Sequence, residues 1–425
     1  MKMLKFRENE ARRSILINIH NMKYVNDLEN FCQCHTNIIN VSPYLTMNDN
    51  VSVSDQITSL YNILKITDLN IKLRFYTANQ ISYYLSRLFT NVHVVPFGSS
   101  VNGFGQIGCD LDLLCKTVMN GDQRSVNIKK FFFFSRGIPL EERNEQKKFL
   151  EVVGAVMEVC VPGIIDVRKI LAARVPIIKF CNINTNMKCD LSSTNTIALQ
   201  MSELLYIYGQ LDWRVRPLVC IIRKWARVMD LTKEYAGQWI TNFSLTLLII
   251  FYLQTKNILP SVNAINDFIR NKDKNADHKF NWFVNWKISV NSTNDESLSD
   301  LLFNFFQYYS VFDFKTQAIC IKDGTVKRKN DISPLYIRNP FDTTLNVSKN
   351  VTLKELIRLV DSFQKAFNIM LDTAERDIIW KLINLEPKTN HEVNNHETQI
   401  KLEEKLLSTV TNINGLKKIQ RNIIK

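Results

Sequence analysis

The feature of this sequence that most limits its possible folds is an apolar run followed by a Gly-Ser pair and then by two aspartates. The run is His93 to Phe97, the pair is Gly98-Ser99, and the acids are Asp110 and Asp112. The run predicts a short strand, and the Gly-Ser pair predicts a turn that leads into a short helix. The two aspartates are then expected on a second strand, beside the turn.

The spacing of these residues indicates a particular chemistry. Asp110 and Asp112 are two residues apart, which on a strand places both side chains on one face. There they can ligate the same divalent metal ions, and two such ions about 3.5–4 Å apart can clamp the attacking and leaving oxygens of a phosphoryl displacement. Gly98 lets the backbone approach a ligand closely, and Ser99 offers a hydroxyl and an amide at a helix N-terminus, where anions are favoured. The stretch therefore predicts a site for magnesium and a nucleoside triphosphate.

A third carboxylate follows on a predicted hairpin. Val175 to Phe180 and Met187 to Leu191 are predicted strands, joined by a turn at Asn184 to Asn186. The hairpin carries Asp190 on a strand that can lie beside the first two acids. We expect this acid to ligate a metal ion together with the first two, and it could also accept a proton. An exposed hairpin aspartate is the alternative interpretation.

Two basic residues and one aromatic residue are further candidates. Arg223 and Arg227 are four apart on one predicted helical face, so both guanidinium groups could reach one triphosphate. Phe243 stands at a predicted helix start and could stack on a base, a contact that contributes about 1–3 kcal/mol. An ordinary solvated basic face and a core phenylalanine are the alternatives.

The length and charge of the chain narrow the class of protein. A chain of 425 residues is longer than one hydrophobic core usually supports, so two or three domains are expected. Lysine and arginine number 54 against 41 acidic residues, a net charge of +13 with a pI near 9.2. This balance suits a polyanionic partner such as RNA, although a generally basic surface would give the same count.

Cysteine usage and hydropathy indicate the compartment. The nine cysteines are an odd number without a Cys-x-x-Cys pair, which indicates a reducing compartment and buried thiols. The most apolar run, Leu245 to Leu253, is too short to cross a bilayer, so no membrane is expected among the partners. Residues Met1 to Arg13 are basic but include Glu8 and Glu10, so they do not form a clean mitochondrial transit peptide.

The stretch from Pro96 to Leu113 resembles the nucleotidyltransferase signature of the DNA-polymerase-beta superfamily, in the branch that contains poly(A) polymerases and terminal uridylyltransferases. Other segments are similar to those of the mitochondrial poly(A) polymerases of animals, and the resemblance runs from about Ser14 to Met370. The similar segments are Pro96 to Asn102, Gly108 to Asp112, Ser202 to Gly209, Trp239 to Leu245, Asn339 to Asp342 and Asn346 to Val351.

The resemblance implies an α+β fold with three units. They are a polymerase-beta-like nucleotidyltransferase palm with a mixed sheet, a helical central (poly(A)-polymerase-associated) domain, and a small N-terminal RNA-recognition-like α/β module. It also implies that the 3′-hydroxyl of RNA attacks the α-phosphate of ATP, so that AMP is added repeatedly, and that the protein acts in mitochondria. Mg²⁺ or Mn²⁺ would be held by Asp110, Asp112 and Asp190.

The resemblance further implies a set of nucleotide-binding residues. The set comprises Phe97, Gly98 and Ser99 in the signature turn, Asn195 and Ser202 facing the ribose, Arg223 and Arg227 facing the phosphates, and Asn242 with Phe243, whose ring would stack on the base. Many relatives carry lysine in place of one of the two arginines and tyrosine in place of the phenylalanine. Arginine keeps the charge, and phenylalanine keeps the stacking but lacks the hydroxyl.

Four parts are expected along the chain. Residues 1–50 form the N-terminal module and a linker, and residues 51–195 form the palm with two helices, Val53 to Leu64 and Leu73 to Phe89, packed beside its sheet. Residues 196–384 form the helical central domain, and residues 385–425 form a basic tail. The four phenylalanines from Phe131 to Phe134 are assigned no function.

Two alternative functions and one assembly state are also considered. A terminal uridylyltransferase would share every catalytic feature, but no histidine falls within Ser333 to Val351, where some uridine-specific relatives carry one, and this favours ATP. An inactive RNA-binding scaffold would be expected to lack a metal-ligating acid, yet all three acids are present. The N-terminal module has no aromatic pair for stacking RNA. The enzymes that this chain resembles dimerise through this module, so a homodimer is expected. A monomer whose module packs on its own catalytic domain is the alternative.

Overall fold

The structure is a computed structural model, and it describes residues 51–89, 92–117, 143–173, 175–193, 196–235, 237–272, 293–373 and 377–383. The expected N-terminal module, the run from Phe131 to Phe134, Asn195 and the basic tail lie outside the described residues. The α-helices of the described part are α1 (Val53–Leu64), α2 (Asp68–Leu88), α3 (Arg143–Cys160), α4 (Thr196–Leu211), α5 (Val215–Val228), α6 (Asn242–Thr255), α7 (Val262–Lys272), α8 (Leu298–Ser310), α9 (Leu353–Asp372) and α10 (Ile378–Leu382). The strands are β1 (Val92–Phe97), β2 (Leu111–Thr117), β3 (Ile164–Ile170), β4 (Ile177–Asn182), β5 (Met187–Ser192), β6 (Gln317–Cys320), β7 (Thr325–Arg328) and β8 (Ile337–Arg338).

A five-stranded mixed sheet forms the first structural unit, and it confirms the α+β architecture. Its strand order is β1-β2-β5-β4-β3, in which β2 and β5 run parallel and every other pair is antiparallel. Helix α2 packs against β1 and helix α3 against β3. Their buried faces meet inward-facing strand residues in one core, which includes Ile81, Leu85, Phe149, Leu113 and Leu191.

A helical core with a small three-stranded sheet forms the second unit. Helix α6 is its centre, because every residue from Leu245 to Leu253 is buried. Around it, the ring of Trp225 lies 4.8 Å from that of Phe306 and 5.5 Å from that of Phe363, measured between centroids. No helix in the described part of the chain combines the length and apolarity needed to span a membrane.

Helix α1 differs from the expectation, because it packs in the helical core and not beside the sheet. Its buried residues Val53, Ile57, Leu60 and Leu64 belong to the helical core, and the helix contacts α5, α8 and α10. The apolar stripe of α1 requires a partner surface, but its local pattern is equally compatible with a sheet or with other helices. Helix α1 precedes the strands of the sheet in the chain but packs with helices that follow them.

Most other predicted elements are present with shifted ends. Both hairpin strands form, and helix α2 begins at Asp68, ahead of its predicted start at Leu73. Strand β3 was not predicted, and it contains a register shift between Ile165 and Arg168 with Asp166 at a φ of 55°. Of the described cysteines, four are buried, but Cys160 is exposed, so the expectation of buried thiols holds only in part.

Candidate active site

The turn after β1 places backbone directly against a carboxylate. Gly98 has a φ of +66°, and a single 3-10 turn from Gly98 to Ser100 follows the strand, where a short helix was expected. A Cβ atom at position 98 would lie 2.6 Å from Oδ2 of Asp112. Only glycine allows both this conformation and this approach. The hydroxyl of Ser99 donates to the Sγ atom of Cys109 at 3.4 Å.

The three acids converge at one end of the sheet. Strands β2 and β5 are parallel, and Asp112 is directly paired with Asp190 in their register. Asp112 is also opposite Phe97 of β1, next to the glycine turn. Strand β2 begins at Leu111, so the expectation that both early aspartates lie on the strand is wrong for Asp110, which immediately precedes it. The carboxylates are nevertheless close enough to influence one another.

Burial and the neighbouring carboxylates raise the pKa values of two of the acids. Burial, together with the negative charges of Asp190 and Asp110, raises the pKa of Asp112 to about 7. Burial and the charge of Asp190 also raise the pKa of Asp110. Lys179 opposes both shifts. The site therefore concentrates negative charge where it is poorly solvated, a condition that a bound cation would relieve.

Lys179 is the cation in direct contact with this cluster. It faces Asp190 across the antiparallel pair β4 and β5, and its Nζ atom donates to Oδ1 at 2.8 Å and to Oδ2 at 2.6 Å. Within the part of the chain that the structure describes, no three His, Cys, Asp or Glu side chains are arranged as a ready-made metal site. The carboxylate of Asp190 is instead occupied by Lys179.

Arg74 is a structural residue of the site that the sequence did not reveal. It lies on α2, outside the signature stretch, and only 2% of its surface is exposed. Its guanidinium group donates to the Ser100 hydroxyl at 2.7 Å, to the Asp110 carbonyl oxygen at 3.0 Å and to the Cys109 carbonyl oxygen at 2.5 Å. It therefore connects the start and the end of the loop that separates the glycine turn from the acids. A lone arginine in an amphipathic helix carries no local signal of such a role.

The same loop is bound to the helical core. Arg223 of α5 donates to the carbonyl oxygen of Phe104 at 2.9 Å, and the Ile107 amide donates to the carbonyl oxygen of Leu64 at 2.9 Å. Burial lowers the pKa of Arg223, and its Nε atom has no hydrogen-bond partner among the described residues. Arg223, a predicted phosphate-binding residue, thus contacts the loop between Ser100 and Asp110, which we call the signature loop, and its Nε–H group remains available as a donor.

Arg227 is placed differently from Arg223. Its guanidinium group donates to Glu234 at 2.6 Å and is 42% exposed. The charge of Glu234 also raises the pKa of Asp110, so this ion pair lies within electrostatic reach of the acids. The two arginines share a helix but hold different partners in this structure.

The remaining predicted nucleotide residues fall in three environments. The hydroxyl of Ser202 is buried, accepts from the Gly98 amide at 2.8 Å and donates to the Ala198 carbonyl oxygen at 2.6 Å, so it supports the glycine turn from behind. Asn242 and Phe243 form the exposed first turn of α6, with 37% of the phenylalanine exposed. Asn195 lies outside the described residues.

Comparisons with known proteins agree with this arrangement. Residues 53–210 match the family profile described as poly(A) RNA polymerase, mitochondrial-like, central palm domain. Residues 297–345 match the profile of the Cid1 family poly A polymerase. The first match includes the glycine turn and all three acids.

Two curated relatives and one solved structure give the extent of similarity. The human mitochondrial poly(A) RNA polymerase is 39% identical over 347 residues, which cover 79% of this chain and 60% of that protein. The Drosophila melanogaster mitochondrial poly(A) RNA polymerase is 37% identical, covering 72% of this chain and 52% of that protein. This chain therefore spans between half and two thirds of the length of these relatives.

The structure of mtPAP in complex with ATPγS superimposes with a TM-score of 0.68 at 37% identity, covering 81% of this chain and 72% of that one. Other structures of mtPAP contain UTP, GTP or CTP. A relative that is more than one third identical over most of both chains shares ancestry and fold with this protein, and the signature residues lie within the shared region. The chain belongs to the family of mitochondrial poly(A) RNA polymerases.

Proposed function

We propose that this chain is a template-independent RNA 3′-end adenylyltransferase, a poly(A) polymerase that adds AMP from ATP to mitochondrial transcripts. The observation that carries the proposal is the direct pairing of Asp112 with Asp190 on parallel strands, with the Gly98 turn packed on Asp112. This arrangement brings two acids and the glycine turn together at one end of the sheet. The names of the relatives, and the nucleotides in the mtPAP structures, support the substrate class.

The reaction that we propose is an in-line displacement at phosphorus. A bond forms between the RNA 3′-oxygen and the α-phosphorus of ATP, and the bond from that phosphorus to the bridging oxygen breaks. Pyrophosphate leaves with the electron pair of that bond. The proton of the 3′-hydroxyl passes to Asp190 or Asp112, whose carboxylates stand side by side in register.

The donor set fits a hard divalent cation. Asp110, Asp112 and Asp190 supply carboxylate oxygens, the ligands that Mg²⁺ and Mn²⁺ prefer. Burial, and after it the neighbouring carboxylates, raise the pKa of Asp110 and Asp112, and a bound cation would oppose both shifts. When bound there, the metal supplies Lewis-acid activation of the hydroxyl and neutralisation of phosphate charge. Lys179 must then give up at least part of its contact with Asp190.

Other residues are proposed to bind and orient the nucleotide. Ser99 and the backbone of Phe97 and Gly98 would hold the triphosphate. Arg223 has a free buried donor for a phosphate oxygen, and Arg227 could exchange Glu234 for phosphate. Ser202 would have an indirect role at the ribose, because its hydroxyl accepts from the Gly98 amide and so holds the glycine turn in place.

The base would lie farther from the acids. The exposed ring of Phe243 is available for stacking on the adenine, next to Asn242. Asn195 remains a proposed ribose contact by resemblance alone.

The test is primer extension with the full chain. Purified protein is incubated with a labelled RNA primer, Mg²⁺ and equal concentrations of the four nucleoside triphosphates, first singly and then in competition. We expect repeated addition of adenylate in clear preference to the others. Dominant uridylate addition would make the protein a terminal uridylyltransferase, and no addition of any nucleotide would make it an inactive scaffold.

The variant Asp112→Asn provides the mechanistic arm of this test. It keeps the shape of the side chain but removes a metal-ligating charge, so addition should fall by about a hundredfold or more while the fold is retained. Asp361→Asn, at an exposed carboxylate on α9, is the matched control and should keep full activity. Normal activity of a folded Asp112→Asn protein would contradict the mechanism.

The domain scheme, the assembly state and the location complete the proposal. Residues 1–50 would form the RNA-recognition-like module through which two chains dimerise, followed by the palm over residues 51–195, the central domain over residues 196–384 and a basic tail. RNA processing in mitochondria is proposed from the relatives, which are named as mitochondrial proteins.

A further inference from the structure

Lys179 forms an ion pair with Asp190, one of the three acids of the proposed active site. The Nζ atom of Lys179 is within 2.8 Å of both carboxylate oxygens of Asp190, so the carboxylate is bound through both of its oxygens. The two residues are held opposite each other by the register of β4 and β5, and this pairing does not depend on flexible loops. Arg74, another nearby cation, donates to the backbone oxygen of Asp110.

A divalent metal ion and this ammonium group need the same atoms. An ion bound by Asp190 takes at least one of the oxygens that Lys179 now occupies, and the two positive charges then repel each other at close range. Without any cation, Asp190 would lie next to Asp112, its partner in the β2 and β5 register, with two like charges in a partly buried place. A cation at this position therefore reduces the repulsion between the two carboxylates.

We propose that Lys179 is a placeholder for the metal ion. Its ammonium group neutralises Asp190 in the metal-free protein and moves away when a divalent cation binds. The inference rests on the proposed function, because it requires a metal site at the three acids. Lys179 then has two measurable effects. It stabilises the metal-free protein, and it weakens metal binding, because its contact with Asp190 must be broken first.

The side chain of Lys179 can make this exchange. It is 42% exposed, whereas the carboxylate of Asp190 is 23% exposed, so the ammonium group can swing into solvent while the acid stays in place. A partly exposed ion pair contributes modestly, and loss of the competing charge should strengthen metal binding by about three- to tenfold.

The experiment measures Mn²⁺ binding directly, without turnover. Free Mn²⁺ is followed by electron paramagnetic resonance during titration of the full chain, and thermal unfolding is recorded in EDTA and in Mn²⁺. Lys179→Gln should bind Mn²⁺ about three- to tenfold more tightly than the wild type, unfold at a lower temperature in EDTA, and gain more stability from Mn²⁺. Lys179→Arg keeps the charge and should bind Mn²⁺ as the wild type does.

Lys188→Gln is the matched control. Lys188 is an exposed lysine two residues before Asp190 on the same strand, and its charge lowers the pKa of Asp110. The variant keeps the contact between Lys179 and Asp190 intact. Its Mn²⁺ affinity should stay within about twofold of the wild type.

The outcomes separate this inference from the function on which it rests. If Lys179→Gln binds Mn²⁺ no more tightly than the wild type or Lys188→Gln, the placeholder role is wrong while the metal site stands. If the wild type binds no more Mn²⁺ than Asp190→Asn, there is no metal at the three acids, and both proposals are overturned.

Discussion

At the scale of single residues, the candidate active site combines three acidic side chains with a lysine that partly neutralises them. Three carboxylates meet at one end of the sheet, Lys179 compensates one of them, and burial raises the pKa of Asp112 to about 7. The sequence indicated the acids because of their spacing and context. It did not indicate the lysine that faces one of them, because cross-strand pairs depend on register and not on proximity along the chain.

The raised pKa of Asp112 predicts a pH dependence of the metal-free protein. The pKa in the folded state, about 7, lies above the ordinary value of 3.8, so between about pH 4 and pH 7 the folded state binds more protons than the unfolded state. The free energy of unfolding should therefore decrease as the pH rises through this window, by about 1–3 kcal/mol from this group. Below pH 4 both states are protonated and the penalty is absent.

Urea unfolding in EDTA at several pH values measures this effect. Asp112→Asn lacks the titrating group, so its stability relative to the wild type should increase from pH 4.5 to pH 7.5. A constant difference between the two proteins over that range would mean that Asp112 titrates in its usual range.

Arg74 gives a second prediction at the residue scale. Arg74→Lys keeps one positive charge but cannot reach the Ser100 hydroxyl and two carbonyl oxygens together, so buried acceptors are left unpaired. We expect a loss of about 2–3 kcal/mol in the free energy of unfolding and a large loss of nucleotide addition at saturating ATP.

The control for Arg74 lies on the same helix. Arg87 is exposed and stacks on the ring of Tyr83 at 4.8 Å, so Arg87→Lys should change stability by no more than about 0.5 kcal/mol. Equal stability and activity of the two variants would show that Arg74 does not hold the loop.

At the scale of elements, the sequence predicted helices better than their partners. Helix α1 has the predicted bounds and begins at an N-cap, Ser52, whose hydroxyl accepts from the Asp55 amide. Helix α9 is similarly capped by Thr352. Caps and apolar spacing are local signals, and they define where a helix starts and which side is buried. The packing of α1 in the helical core was decided by surfaces far along the chain.

Two core truncations test the placement of α1. Leu60 of α1 and Leu85 of α2 are both fully buried, but the first belongs to the helical core and the second to the sheet core. Leu60→Ala and Leu85→Ala should each cost about 2–4 kcal/mol. Amide hydrogen exchange should accelerate mainly in α5 and α8 for the first variant, and mainly in β1 and α3 for the second. The same exchange pattern in both variants would contradict two separate cores.

At the scale of the whole molecule, the signature loop links the two cores. Arg74 holds it from the sheet side, and Arg223 holds it from the helical side through the carbonyl oxygen of Phe104. A change in the relative position of the two cores would therefore act on this loop, which follows the glycine turn and precedes Asp110.

Assembly is the prediction that belongs to this scale. The full chain should sediment as a homodimer, because residues 1–50 are too few to bury a core alone and need a partner surface. A chain that begins at Asn50 should sediment as a monomer with reduced nucleotide addition. If both versions are monomers with equal activity, the dimer is wrong.

The sequence by itself determined the chemistry that is available to this protein. Local patterns identified the glycine turn, the three acids and most helices, because spacing and capping depend on neighbours in the chain. Only the tertiary structure decided that Asp112 pairs with Asp190, that Lys179 occupies the latter, and that Arg74 holds the loop. Those relations join segments that are distant in sequence, and their free energy comes from packing and strand register, which no local pattern encodes.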